Sequence, residues 1–193
     1  MSSRKDRGVT FALQNPEAVA GQRPKRGRTR ASSPSLSGRV ANHGATIEDA
    51  LELALRVHRG KTDKAGAPYI LHVLRVMLAM EDDTARMAAV LHDVVEDSDC
   101  TLADLRAQGF PRKVVAAVDA LTRRPGESYE AFVLRAAANP IARRVKLADL
   151  EDNMDVRRLN ALEQADLERL RRYRRAWEIL HSVCARRTNR RRR

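Results

Sequence analysis

The 193-residue chain carries 37 Lys/Arg against 25 Asp/Glu, a formal net charge of +12, and is 43% hydrophobic but only 4% aromatic. That length fits one ordinary domain with room for tails, and Leu, Val, Ala and Met must fill its core. No apolar run approaches the ~20 residues that span a bilayer, no N-terminal apolar segment reads as a signal peptide, and two cysteines without zinc spacing, Cys100 and Cys184, point to a reducing, cytoplasmic setting and not to a disulfide framework.

The charge is unevenly spread. Residues 1–44 hold nine Lys/Arg against Asp6 and Glu17, and residues 186–193 hold six arginines, which leaves 22 of the 37 bases and 23 of the 25 acids for residues 45–185. A nucleic-acid-binding character therefore belongs to the tails and not to the domain. Residues 1–44, with "GQRPKRGRTRASSPSLSGR", are rich in Arg, Ser, Gly and Pro without periodicity. They bury too little apolar surface to offset their ordering entropy and read as a disordered tail. The Arg-rich end, 186–193, reads the same way. Solvated extension and weak polyanion-binding arm are the two uses open to such tails.

Helical patterning begins at Thr46. "TIEDALELALRVHRG" pairs Thr46 with Asp49 in a capping box, repeats apolar residues at helical spacing and stops at Gly60. A polar loop follows. Pro68 fits the first turn of a second helix, "PYILHVLRVMLAM", and Thr84 is placed to cap a third that runs through "ARMAAVLHDVV". Thr101 caps a short fourth helix that stops near Gly109, Pro111 opens a fifth, "SYEAFVLRAAA" is a sixth that ends at Asn139-Pro140, and "IARRVKLADLEDNM" is a seventh. The last helix spans about Gln164 to Ala185. No strand-like alternation stands out, so residues 45–185 read as an all-α multi-helix bundle.

Within that bundle, "LHDVVED" (Leu91–Asp97) sets one His and three carboxylates in a short apolar run. On a helix, Glu96 lies four residues beyond His92 and three beyond Asp93, and Asp97 four beyond Asp93, so all four side chains share one side. Acids near a helix C-terminus oppose the macrodipole; solvent, a lysine or a metal are the possible compensations. His72 stands within the otherwise apolar second helix and Asp149 after the apolar start of the seventh, with Lys146 one turn earlier as an alternative partner. A carboxylate among apolar neighbours is costly unless paired or coordinated. Two imidazoles and two carboxylates from three helices suit a first-row divalent ion with positions open to water.

"HRGKTDKAGAPYILH", "LHDVVED" and "KLADLEDNM" together resemble the motifs of the HD-domain metal-dependent phosphohydrolases. They are most similar to the hydrolase domain of RelA/SpoT alarmone enzymes and the stand-alone small alarmone hydrolases. The resemblance spans about Thr46 to Leu180. It implies an HD-domain helical fold and one Mn²⁺ held by His72, His92, Asp93 and Asp149. It also implies that Glu96 and Asp97 handle the nucleophilic water, and that Lys64, Asn153 and Tyr173 contact a nucleotide, most simply guanosine tetra- or pentaphosphate losing its 3′-pyrophosphate. Tyr173 has helix packing as its other reading.

The chain departs from the pattern on the substrate side. Asp63 stands where those hydrolases carry a guanine-stacking Arg, and as a bare anion it would repel phosphate. Lys61 replaces a Gln, Val73 a Pro, and Asp152 a His or Tyr. Hydrolysis of another phosphorylated nucleotide, such as NADPH or a nucleoside phosphate, is the alternative these raise; nucleic-acid association through the basic tails is a further one. His58, on the apolar face of the first helix, reads as a satisfied core histidine, and His181 has no partner motif.

Overall fold

The computed structural model describes residues 44–159 and 161–191, with side chains through Val183. The expectation for the N-terminal tail therefore lies, Gly44 apart, outside the described residues. Among the described residues eight α-helices follow one another: α1 Ile47–Val57, α2 Ile70–Leu78, α3 Asp83–Val90, α4 Leu102–Ala107, α5 Arg112–Leu121, α6 Tyr129–Ala138, α7 Pro140–Asn153 and α8 Gln164–Arg191, with a 3-10 turn at Val156–Arg158 before the last. Among the described residues the only β-type pairing is a bridge between Thr62 and Pro68, so the expected all-α class holds. No helix among them is long and apolar enough to cross a membrane.

Local chemistry sets most helix starts. Thr46 and Thr101 each form a full capping box, with Asp49 and Asp104 respectively. Asn139 accepts from the Ile141 and Ala142 amides, and Pro140 occupies the first turn of α7, where its missing N–H costs nothing. Three boundaries differ from expectation. The start of α3 is capped by Asp82, whose Oδ1 accepts from the Ala85 amide at 2.8 Å, and not by Thr84. Pro68 lies ahead of α2, which starts at Ile70 without a side-chain cap. The last helix continues to Arg191 through the arginines expected to be tail; Arg is a good helix former and favours a helix C-terminus.

The sharpest difference falls on "LHDVVED". The α-helix ends at Val90, with Leu91 as its C-cap, and residues 91–96 form consecutive turns. The reason is local. His92 Nδ1 donates to the Ala89 carbonyl at 2.7 Å, the acceptor that a continuing α-helix would give to the Asp93 amide. The Val94 amide then donates back to Leu91 in a tighter i→i−3 turn.

The main core lies between α1, α2, α3, α5 and α7. Helix α3 is buried along Ala85, Met87, Ala88, Ala89 and Val90. Alanine at three of these positions lets neighbouring helices approach closely on the buried sides of α3. A second cluster joins α6, α7 and α8 through Val133, Ala137, Leu150, Ala176 and Leu180. Helix α7 belongs to both, giving Ala142, Val145 and Ala148 to the first and Leu150 to the second. Between Ala148 and Leu150 sits Asp149, 5% exposed.

Candidate metal and phosphoryl site

His72 from α2, His92 from the turn after α3 and Asp149 from α7 converge, with one ligating atom from each within 4.8 Å of the others. All three are buried. The hydrogen bonds of both imidazoles fix their tautomers. A carboxylate and a carbonyl can only accept, so His72 Nδ1–H donates to Asp152 Oδ2 at 2.6 Å and His92 Nδ1–H donates to Ala89 O. Both Nε2 atoms are thereby left facing inward. His72 Nε2 stands 3.3 Å and His92 Nε2 3.9 Å from Asp149 Oδ1. His92 Nε2 is buried and makes no hydrogen bond.

Two imidazole nitrogens against a buried carboxylate call for a positive charge between them. The electrostatics of the protein alone say the same. Burial disfavours protonating His72, but its hydrogen bonds to Asp149 and Asp152 prevail and raise its pKa to about 9. Asp149 is held well below the usual carboxylate range: burial opposes this, and the Lys146 ammonium and the two imidazoles outweigh it. A nitrogen and oxygen donor set with an orphaned buried nitrogen fits a divalent first-row ion.

Asp93, the fourth expected ligand, lies outside that three-residue cluster. Its Oδ2 stands 2.9 Å from His92 Nε2 and accepts the Tyr69 hydroxyl. Lys146, considered from sequence as the alternative partner of Asp149, does pair with it: Nζ donates to Oδ2 at 2.7 Å, leaving Oδ1 toward the histidines. Asn153 Nδ2 donates to that Oδ1 at 2.6 Å and to the Asp149 carbonyl at 3.0 Å.

The two acids after the doublet part company, because the helix that would have stacked them is absent. Glu96 accepts the Arg123 backbone amide. It is open to solvent yet crowded by protein, and that desolvation pushes its pKa up against the effect of this hydrogen bond. Asp97 turns toward the loop between α1 and α2, where Lys61 Nζ donates to its carbonyl at 2.8 Å and its Oδ2 at 3.2 Å. His58 Nδ1 is 3.5 Å from the same Oδ2. His58 is buried as expected, but neither ring nitrogen is hydrogen-bonded. Burial lowers its pKa despite the nearby Asp93 and Asp97.

Lys64 is exposed on this loop, and desolvation with the nearby Arg169 charge lowers its pKa. Tyr173 packs against the second cluster, and burial followed by the Asp149 charge raises its pKa. It thus serves packing while its hydroxyl lies within electrostatic reach of the site. His181 packs against Trp177 with ring centroids 3.9 Å apart and ring planes inclined at 41°.

Asp63 is not a bare anion. Its Oδ1 accepts the Ala65 and Ala67 amides at 2.9 and 3.0 Å, closing a turn that Gly66 completes with a φ of +77°. Its Oδ2 accepts Arg158 Nη2 and lies 4.0 Å from Arg75 Nη2. The expected repulsion of phosphate is therefore offset by paired arginines. Asp152 shares both: Arg75 Nε donates to its Oδ1, Arg75 Nη2 to Oδ2 at 3.2 Å, and Arg158 Nη1 to Oδ2 at 2.6 Å. Burial notwithstanding, the His72 and Arg75 hydrogen bonds hold the Asp152 pKa well below the usual range. Sequence reasoning saw Asp152 only as a departure. The available signal was spacing, since Arg75 follows His72 by three residues and Asp152 follows Asp149 by three, so each pair shares a helix face.

Residues 50–172 match the HD domain family. The chain belongs to that family. The HD match takes in every expected metal ligand and stops one residue short of Tyr173. A guanosine-3′,5′-bis(diphosphate) 3′-pyrophosphohydrolase of Aquifex aeolicus is 32% identical over 131 residues, which cover 62% of this chain and 19% of that protein. A GTP pyrophosphokinase of Streptomyces coelicolor is 38% identical over 121 residues, covering 56% of this chain and 14% of the other. The HD chain thus spans under a fifth of these relatives. A solved structure of a metazoan SpoT orthologue, described as hydrolysing ppGpp, shares the fold with a TM-score of 0.58 at 24% identity, over 73% of this chain and 88% of its own.

Proposed function

We propose that this HD domain is a metal-dependent phosphohydrolase acting on guanosine tetra- or pentaphosphate at its 3′-pyrophosphate. The observation that carries the reading is the pair of inward Nε2 atoms at Asp149, fixed by hydrogen bonds on the opposite ring nitrogens. Its relatives from Aquifex aeolicus and Vibrio cholerae, the latter 33% identical over 135 residues, both named as pyrophosphohydrolases, support the choice of substrate.

His72, His92, Asp93 and Asp149 would hold the ion, with Mn²⁺ as the metal the motif resemblance favours. When bound, it supplies Lewis acidity toward water and the phosphoryl group. The residues of the chain divide the remaining work. Glu96, with its raised pKa, takes the proton of the attacking water. Water oxygen bonds to the phosphorus attached to the 3′ oxygen and that phosphorus–oxygen bond breaks; the 3′ oxygen takes up the proton held by Glu96 and stays on the nucleotide as a hydroxyl, and pyrophosphate leaves. Asp97, keyed by Lys61, orients the water or Glu96. Lys64 meets phosphate by charge-assisted hydrogen bonding, Asn153 offers its amide oxygen to the nucleotide, and Tyr173 lines its pocket.

Asp63 favours a second reading in which the same chemistry acts on another phosphorylated nucleotide, since its carboxylate is committed to Arg158 and the turn amides. Incubation of the purified protein and Mn²⁺ with a nucleotide panel, with products separated by chromatography, tests both. Pyrophosphate released from guanosine tetraphosphate supports the first, and turnover of another nucleotide alone supports the second.

A further inference from the structure

Two of the substrate-side departures from the alarmone-hydrolase motifs, Asp63 and Asp152, are far apart in sequence but meet on the same guanidinium. Arg158, from the 3-10 turn after α7, donates Nη1 to Asp152 Oδ2 at 2.6 Å and to the Asp152 carbonyl at 3.0 Å, and Nη2 to Asp63 Oδ2. Asp152 is also the acceptor for His72 Nδ1–H, and Asp63 is also the acceptor for the Ala65 and Ala67 amides. One continuous path of charge-assisted hydrogen bonds thus runs from an imidazole of the metal cluster to the backbone of the loop that carries Lys64. The path is largely withdrawn from water: the side chains of Asp63, Asp152 and Arg158 are 8%, 10% and 24% exposed.

Burial gives these bonds consequence. An exposed ion pair contributes little, whereas truncating one member of a buried, hydrogen-bonded set leaves the others unpaired at considerable cost. The path also has few ways to rearrange. Asp152 uses both oxygens, Asp63 uses both, and Arg158 is planar with its donors in a fixed fork. A shift of the His72 ring therefore moves Asp152, then Arg158, then the turn at Asp63.

We propose that Asp152 and Arg158 are positioning residues that couple the metal site to the conformation of the 61–68 loop, so that occupation of the site orders the loop bearing Lys64. This rests on the metal reading of the site given above. Asp152 fixes the His72 tautomer and ring plane, which is the known means by which an outer carboxylate raises the affinity of a histidine ligand. Arg158 passes that fixed position to Asp63. By linkage the effect runs both ways, so whatever loosens the loop also weakens the site.

Two measurements on the full chain test this: Mn²⁺ affinity by calorimetry, and hydrogen exchange of the 61–68 amides with and without Mn²⁺. In the wild type, Mn²⁺ slows exchange at Ala65 and Ala67. Asp152→Ala lowers Mn²⁺ affinity by about 10- to 100-fold, and Arg158→Ala lowers it less while abolishing the Mn²⁺-induced protection of the loop. Arg158→Lys, which keeps the charge but not the fork, does not restore that protection. Should Asp152→Ala fail to fold, Asp152→Asn replaces it, retaining an acceptor for His72 while losing its charge toward both arginines; it too must uncouple the loop. Wild-type affinity in the Asp152 variant, or Mn²⁺ protection of the loop persisting in Arg158→Ala, overturns the coupling. A wild type that binds no divalent ion overturns the metal reading itself, which separates the two failures.

Discussion

His72 donates its Nδ1–H to Asp152 at 2.6 Å while its Nε2 stands 3.3 Å from Asp149. One histidine is thus held by two aspartates a helical turn apart on α7. Asp149 cannot easily be neutralised, because Lys146 and the two imidazoles depend on its charge. Asp149→Asn is expected to lower divalent-metal affinity by more than about 100-fold, a loss beyond that of an outer-shell change. It also leaves the largely buried Lys146 ammonium, its side chain 15% exposed, without its counter-charge, at a cost of about 3 kcal/mol to the metal-free protein. Calorimetry and chemical denaturation check the two effects separately.

The pH dependence of turnover follows from Glu96. Its carboxyl pKa is raised from the ordinary value of 4.5 by desolvation, and a general base works only when deprotonated. Activity therefore falls as pH drops through this raised pKa, and Glu96 gives kcat/KM its acid limb. Glu96→Gln lowers kcat by about 100-fold or more and removes that limb while leaving metal affinity in place. A limb that survives the substitution assigns the base elsewhere.

Lys61 acts through Asp97, which it holds by both carbonyl and carboxylate. Lys61→Met retains the aliphatic stem and removes the ammonium. The expected result is a roughly tenfold fall in kcat from lost orientation, with KM and metal content close to wild type. A change confined to KM instead places Lys61 on the substrate.

Away from the site, Arg135 ties α5 to α6. It donates to Glu127 Oε1 and Oε2 at 2.8 and 2.7 Å, and to the Asp119 and Thr122 carbonyls at 2.8 Å each. Those carbonyls close the end of α5, where a cation is favoured. Arg135→Ala is expected to cost about 2 kcal/mol, the loss of part-buried hydrogen bonds to charged groups, read from urea denaturation at neutral pH. The Arg135 hydrogen bonds depress the Glu127 pKa to about 2. A depressed carboxyl stabilises the fold above its unfolded pKa and loses that contribution as pH falls toward 2, so the wild-type advantage over Arg135→Ala shrinks over that range.

What sequence disclosed and what it did not divides by the range of the interaction. The capping boxes at Thr46/Asp49 and Thr101/Asp104 are i,i+3 events and read directly from spacing. His72, His92 and Asp149 stood out because polar groups in apolar runs need a reason, and the fold brings them together. The third helix expected to run through Val95 did not hold, because the His92 side chain takes the Ala89 carbonyl, a bond that apolar periodicity does not encode. Asp63 looked hostile to phosphate because Arg158, the partner that neutralises it, is 95 residues away. Asp152 went unread for a similar reason: its meaning depends on His72, 80 residues earlier.

The most direct single measurement is hydrolysis of guanosine tetraphosphate by the purified protein with and without Mn²⁺, alongside His92→Ala. The expected result is Mn²⁺-dependent release of pyrophosphate, abolished in the variant together with metal binding. Metal bound by the wild type with no hydrolysis of any phosphorylated nucleotide, or full metal occupancy in His92→Ala, would contradict it.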